Sequence, residues 1–211
     1  MRVIANSVPK SGTNLIKTLL ENLPFLNRCR DYHLDMRCKD IARQIDHIRS
    51  GQFVRSHIPY DPLLSARIYE SGVKNIFMIR NSRDIVVSTA HYIVNGDKNH
   101  RLTKYMRGLS SFDKVISACI RGVDSPYGLG SRASPSIREH LDLYTGWLTA
   151  KNCKIIKFED LIGVKGGGSL GSQHRCLQEI LLHLEVHLSQ EEISFLCTKV
   201  FSSSSRNFEK E

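Results

Sequence analysis

The sequence predicts an α/β fold in which a central parallel sheet is flanked by crossover helices. Three observations carry this. Short runs of β-branched and apolar residues recur at Arg2–Ser7, Gln52–Ser56, Lys74–Ile79 and Cys153–Phe158. Stretches with apolar residues at helical spacing follow the first and third of them. The runs are too far apart for hairpins, and strands alternating with helices bury both faces of a parallel sheet.

In chain order, Arg2–Ser7 reads as a short buried strand. A Pro-Lys-Ser-Gly turn follows, then a helix with Leu15, Ile16, Leu19, Leu20 and Leu23 on one side. Gln52–Ser56 is a second strand and Lys74–Ile79 a third, which leads into a helix over Ser82–Tyr92. Residues 95–136 are rich in Gly, Ser, Lys and Arg, with Phe112–Ile120 helical, and are expected to be an insertion on the substrate side. Cys153–Phe158 is the fourth strand, with Glu159 and Asp160 opening the next helix. Residues Gly163–Ser172 (GVKGGGSLGS) read as a glycine-rich linker, with a phosphate nest as the lesser alternative. There are no internal repeats.

The 211 residues suit one domain, expected over 1–211, and 41% apolar with 24% charged residues excludes a disordered chain. No apolar run approaches the roughly 20 residues that span a bilayer. The opening MRVIANSVPKSG shows neither a signal peptide nor an anchor, so a soluble cytoplasmic protein with no membrane partner is expected. A net charge of +9 suits anionic partners. Basic residues are scattered, without the interleaved aromatics that stack bases, so no nucleic acid is expected. The six cysteines (Cys29, Cys38, Cys119, Cys153, Cys176, Cys197) form no C-x-x-C pair and read as buried thiols in a reducing compartment.

Chemistry concentrates first at Pro9-Lys10-Ser11-Gly12-Thr13-Asn14, between a strand and a helix. The unpaired N–H groups of a helix N-terminus point at whatever sits there, so this position suits an anion. Gly12 permits close backbone approach, the Ser11 and Thr13 hydroxyls donate, and Lys10 adds charge. A plain N-cap by Ser11 explains the same residues equally well. The triphosphate pattern G-x-x-x-x-G-K-[ST] is absent, because the lysine precedes the glycine.

Ser7-Val8-Pro9-Lys10-Ser11-Gly12-Thr13-Asn14 resembles the 5′-phosphosulfate loop of the cytosolic-type sulfotransferases. That resemblance implies a P-loop-like three-layer fold and 3′-phosphoadenosine-5′-phosphosulfate (PAPS) as donor. Lys10, Ser11, Gly12, Thr13 and Asn14 are then nucleotide-binding. Many members continue with Thr-Trp, where this chain has Asn14-Leu15.

Three further segments follow in the family's order. At Arg80-Asn81-Ser82-Arg83-Asp84-Ile85-Val86-Val87-Ser88, an arginine at a strand end and a serine two helical turns on can meet one anion. An Arg80–Asp84 ion pair is the structural alternative. The segment resembles the family's Arg-Asn-Pro-x-Asp-x-x-x-Ser, which implies that Arg80 and Ser88 bind the 3′-phosphate. Arg55-Ser56-His57-Ile58-Pro59 is similar to the family's Lys-Thr-His-Leu-Pro, which implies that His57 is the general base. A lone strand-end histidine is otherwise more often structural. Lys157-Phe158-Glu159-Asp160-Leu161 resembles Tyr-Glu-Asp-Leu, with Glu159 and Asp160 read as capping and pairing residues and Trp147 in a preceding helix. Where members continue into Arg-Lys-Gly-x-x-Gly-x-Trp, this chain has Phe208-Glu209-Lys210-Glu211, so the nucleotide lid is expected to be incomplete or absent.

The implied reaction is in-line displacement at sulfur, from PAPS to a hydroxyl or amine, releasing 3′,5′-adenosine bisphosphate (PAP). Lys10 and His57 are its catalytic residues, and no metal is required. A non-catalytic or truncated relative is one alternative. A small-molecule kinase is another, although it wants a lysine after the second glycine and a magnesium carboxylate. Lys98, Arg101, Lys104, Arg107, Arg121 and Arg132 suit an anionic saccharide acceptor or a solvated loop. A small molecule or a saccharide is the acceptor expected, and oligomeric state is not readable.

Overall fold

The computed structural model describes residues 1–34, 40–96, 98–124 and 132–202. Along the chain run β1 (Arg2–Ser7), α1 (Thr13–Glu21), β2 (Asn27–Leu34), α2 (Ile41–Asp46), β3 (Gln52–Ser56), α3 (Pro62–Glu70) and β4 (Lys74–Ile79). Then come α4 (Ser82–His91), a π turn (Tyr92–Gly96), α5 (Thr103–Arg107), α6 (Phe112–Arg121), β5 (Val123–Asp124), β6 (Arg132–Ser134) and α7 (Ile137–Asp142). A 3-10 turn (Thr145–Thr149) leads to β7 (Cys153–Lys157), α8 (Phe158–Leu161), α9 (Leu170–His183) and α10 (Gln190–Ser202). The chain forms two compact units, Met1–Arg80 with Gly146–Glu211, and Asn81–Thr145.

The first unit holds a five-stranded, all-parallel sheet in the order β2-β3-β1-β4-β7. Its four inner and right-hand strands are those the sequence predicts, except that the last ends at Lys157 and Phe158 begins α8. The fifth, β2, has the sequence NRCRDYHL and escapes apolar-run reading. It lies at the sheet edge, where charged residues are tolerated and discourage pairing with other chains. From β1 the chain leaves toward the β2 edge, and after β4 it rejoins the sheet at the opposite edge. The carboxyl ends of β1 and β4 therefore flank a topological switch point, where open α/β sheets place ligands.

Val3 and Ala5 of β1 point into a core shared with Leu15, Ile16, Leu19 and Leu20 of α1, Leu23 just after it, Leu177 and Ile180 of α9, and Leu196 and Val200 of α10. Each such side chain, fully withdrawn from water, contributes about 1.5–3 kcal/mol. That packing holds the first turn of α1 in place. Its apolar positions are the ones its helical spacing predicts.

The glycine-rich linker is corrected by the structure. Ser169 caps α9 by accepting from Ser172 N, so Gly171 and Ser172 are already helical. Residues 163–168 form a closed turn in which Gly168 N donates to Gly163 O at 2.8 Å. A Cβ on Gly163 would meet Gln173 Oε1 at 2.4 Å, so the turn is packed against α9. No helix is expected from the sequence reading between the second and third predicted strands; α3 forms there, its start set by Pro62 and by Asp61, whose Oδ1 accepts from Leu64 N.

The second unit has its own core of Ala90, Ile93, Leu102, Met106, Val115, Ala118 and Val123. It includes the stretch 95–136. The helix predicted over Phe112–Ile120 is α6, one residue longer, and the one predicted over Ser82–Tyr92 is α4, which gives way to the π turn at Tyr92. Lys98, Arg101, Lys104, Arg107 and Arg121 are exposed.

The thiols of Cys119, Cys153, Cys176 and Cys197 are free. Burial pushes Cys119 up to about 11 and Cys153 and Cys176 up to about 12, and raises Cys197 as well, which keeps them protonated and unreactive. Cys38, the side chain of Cys29, and Phe208 to Glu211 lie outside the described residues. Among the described residues no helix is long and apolar enough to cross a membrane.

Candidate functional site

The loop between β1 and α1 is a tight, left-handed turn. Ser11 N donates to Val8 O at 3.0 Å, and both Lys10 (φ 70°) and Gly12 (φ 101°) have positive φ. Gly12 is the N-cap of α1, and no side chain caps the helix. A Cβ on Gly12 would lie 2.4 Å from Phe158 Cδ2 and 2.9 Å from Met78 Sδ, so only glycine fits. The plain N-cap by Ser11 is not what forms. Ser11 is fully buried, and its Oγ has no hydrogen-bond partner. A buried hydroxyl without a partner is rare and costs about 1–3 kcal/mol, which an acceptor in the loop would offset.

Two cations meet at this turn. Arg80, directly after β4, donates from Nη1 to Lys10 O at 3.2 Å, and its guanidinium lies 4.2 Å from the centre of the Phe158 ring. Burial, and then the charge of Arg80, lower the Lys10 pKa below the ordinary lysine value. Both causes oppose the ammonium, and a bound anion relieves both. Phe158 thus lies against Gly12 and under Arg80. It stands in the predicted Phe158-Glu159-Asp160-Leu161 segment, where Glu159 and Asp160 occupy the first turn of α8.

His57 follows β3, beside β1. The buried Asn6 holds this strand end: its Oδ1 accepts from Ser56 Oγ at 2.8 Å and Ile58 N at 3.0 Å, and its Nδ2 donates to Ile58 O. Trp147 Nε1 donates to the same carbonyl at 2.8 Å. His57 Nδ1 lies 2.9 Å from Ser7 O. A carbonyl only accepts, so Nδ1 carries the proton, and the neutral ring keeps its lone pair on Nε2. Nδ1 is also 3.2 Å from Ser7 Oγ, which is 2.7 Å from Thr13 Oγ1.

The structure therefore gathers Lys10, Ser11, Gly12, Thr13 and Asn14 on one turn, sets Arg80 on the carbonyl of Lys10, and links His57 to Thr13 through Ser7. Asn14 is exposed and accepts from Arg55 Nη1 at 3.2 Å. Ser88 lies partly buried on α4, in the second unit, outside this set of contacts. Sequence reasoning missed Asn6 and the support given by Phe158. A polar Asn6 directly after the apolar run Val3–Ala5 was the signal that could have found it. Among the described residues no group of three His, Cys, Asp or Glu side chains could hold a metal ion.

A family model described as "Sulfotransferase domain" matches residues 2–164. The chain belongs to the sulfotransferase family. It is 23% identical over 167 residues to mouse Sulfotransferase 1E1, covering 73% of this chain and 50% of the relative. Human Sulfotransferase 1E1 is 25% identical over 146 residues, covering 60% and 44%. The chain thus spans about half the length of these relatives. The mouse sulfotransferase SULT7A1, solved in complex with PAP, superposes with a TM-score of 0.64 at 17% identity, covering 94% of this chain and 63% of that one. Retinol dehydratase, solved with androsterone and inactive cofactor PAP, superposes at 0.52 and 18% identity, covering 99% and 65%. The P-loop-like fold expected for this sulfotransferase is the one it has.

Gly12→Ala adds a steric clash to a left-handed backbone and should lower stability to urea by about 2–3 kcal/mol. Gly72→Ala, also at positive φ (68°) but with nothing within 4 Å of the new methyl, should lose only about 1 kcal/mol. Equal losses would show that the loop is not sterically closed.

Proposed function

We propose that this sulfotransferase moves a sulfuryl group from PAPS to a hydroxyl or amine acceptor by in-line displacement. The observation that carries the reading is the β1–α1 turn, where an unpartnered buried Ser11 hydroxyl, an uncapped helix start and the Lys10–Arg80 cation pair share one small space. These residues fit a phosphate-bearing donor. Ser11, Gly12, Thr13 and Asn14, with the first amides of α1, would hold its 5′-phosphate, and Arg80 its 3′-phosphate. Ser88 is assigned to the 3′-phosphate on motif resemblance alone. PAPS supplies the activated sulfuryl group and a bisphosphate that departs with the electrons of the broken S–O bond.

The chain's own residues supply the rest. His57 presents Nε2 as the acceptor of the incoming hydroxyl's proton, with Nδ1–H anchored on Ser7. The imidazolium formed is stabilised because Ser7 O already accepts from it. Lys10 meets the negative charge that grows on the bridging oxygen of the leaving group. A small molecule or a saccharide is the acceptor class proposed; the structural neighbour holding androsterone supports the former, and the exposed basic residues of the second unit the latter.

PAP should bind more tightly than 5′-AMP by about tenfold in metal-free titration calorimetry, the worth of one charge-assisted phosphate contact. Arg80→Ala should remove that difference; a preserved difference would take the 3′-phosphate away from Arg80. His57→Ala should reduce turnover by about 100-fold or more while leaving the PAP dissociation constant nearly unchanged. Parallel loss of both would contradict its role as base.

Affinity should also depend on pH through Lys10. Its pKa is depressed in the free protein, and a bound anion favours the ammonium, so binding raises that pKa. Full affinity holds below the depressed value and falls as pH rises through it, earlier than for an ordinary lysine. Lys10→Arg, which does not titrate, should flatten the alkaline fall of PAP affinity.

A further inference from the structure

We propose that the basic series Lys98, Arg101, Lys104 and Arg107 of the second unit binds an anionic saccharide as the sulfuryl acceptor, an inference that rests on the donor-site reading above. The four cations recur at every third residue, and no Asp or Glu stands between Lys98 and Phe112. All four are exposed. Among the described residues no carboxylate pairs with any of them.

The structure builds this surface on a fixed base instead of leaving it as a solvated loop. Leu102 and Met106 enter the core of the second unit, and Thr103 is buried beside them. Thr103 Oγ1 donates to Ile93 O at 3.1 Å, and Leu102 N donates to His100 Nδ1 at 3.3 Å. Arg107 Nε and Nη2 both donate to Val94 O, at 2.8 and 2.6 Å. With these positions turned inward, Arg101, Lys104 and Tyr105, which is 50% exposed, face solvent. Like charges three residues apart are neighbours on a helical surface and oppose one another. An anion lying along them relieves that repulsion.

The form of the surface selects the class of ligand. Cations spread along ten residues match a chain that repeats its negative charge, whereas a compact apolar acceptor gains nothing from them. The exposed Tyr105 ring offers an apolar face to the C–H side of a sugar and a hydroxyl at its edge. One ring is not the series on which successive bases stack, so nucleic acid fits less well. A saccharide also brings the nucleophile. A sugar hydroxyl oxygen bonds to sulfur, its proton passes to His57, and the broken S–O bond leaves its electrons on PAP.

The test uses the full chain and an octasaccharide of chondroitin sulfate, which carries carboxylates, sulfates and free hydroxyls. Titration should show binding that weakens steeply with salt, as counterion release requires. The triple variant Lys98→Ala, Arg101→Ala, Lys104→Ala should lose at least about tenfold in affinity, with its PAP dissociation constant unchanged. Arg43→Ala, Arg49→Ala, Lys151→Ala removes the same charge from exposed positions of the first unit and should bind as the wild type does. Sulfur label from PAPS should appear on the octasaccharide. Equal losses in the two triple variants overturn the assignment, because net charge alone then explains binding. It is overturned likewise if neutral maltooctaose binds as well, if a short DNA duplex binds more tightly, or if the octasaccharide does not bind. Saccharide and PAP binding without transfer of label overturns the acceptor role and leaves the donor site standing. A wild type that does not bind PAP overturns the donor site and the acceptor role, while the affinity comparisons still decide the saccharide surface.

Discussion

The carboxamide of Asn6 joins the ends of the two central strands that carry the site. It sits at the last buried turn of β1, opposite Ser56 in the parallel register, and satisfies four groups at once: Ser7 N, Ser56 Oγ, Ile58 N and Ile58 O. In a low-dielectric interior each of these would be expensive if left unpaired. The amide therefore fixes the separation and direction in which the chain leaves β1 and β3. The phosphate turn departs from one strand and His57 from the other. Trp147, donating to the same Ile58 carbonyl, closes the arrangement from outside the sheet.

On that frame the electrostatics of the site are one-signed. Arg80 is tied to the Lys10 carbonyl by a side-chain hydrogen bond and lies over Phe158, and its charge disfavours the Lys10 ammonium. The helix start at Gly12 adds its unpaired N–H groups and positive dipole end to the same space. Such a place is stable because the surrounding core holds it: α1 is pinned by four apolar side chains, and Phe158 and Met78 leave no room for the turn to relax. Pre-formed donors aimed at one volume are what electrostatic catalysis requires, since no reorganisation is then needed as charge develops.

How much was legible in the sequence follows from what each signal depends on. The strands that are buried on both faces read directly, because burial demands consecutive apolar residues. The edge strand β2 did not, since its sequence NRCRDYHL carries charged and polar residues in place of an apolar run. The helix α3 was not read, although Asp61 and Pro62 at its start are a local signal that could have found it, and the 163–172 segment misled because glycines that permit a packed turn look like glycines that permit flexibility. At the site, Lys10, Gly12, His57 and Arg80 were legible as a spaced series. The choice between cap and anion site at Ser11 was not, because it depends on Gly12 taking the cap position under a ring that arrives from residue 158. Contacts over such separations leave no local trace.

The pairing of β4 with β7 sets Ile79 beside Lys157, with the whole second unit between them. During synthesis β1, β3 and β4 emerge early and can associate, but the residue that backs Gly12 and Arg80 is made only after the 81–145 excursion. The phosphate turn is thus one of the last parts of the sheet to acquire its final surroundings. A nascent chain passes through a period in which the cationic turn exists without its aromatic floor and the β4 edge lies open to other strands. The second unit, having a core of its own, can fold in that interval and bring β7 back to close the edge.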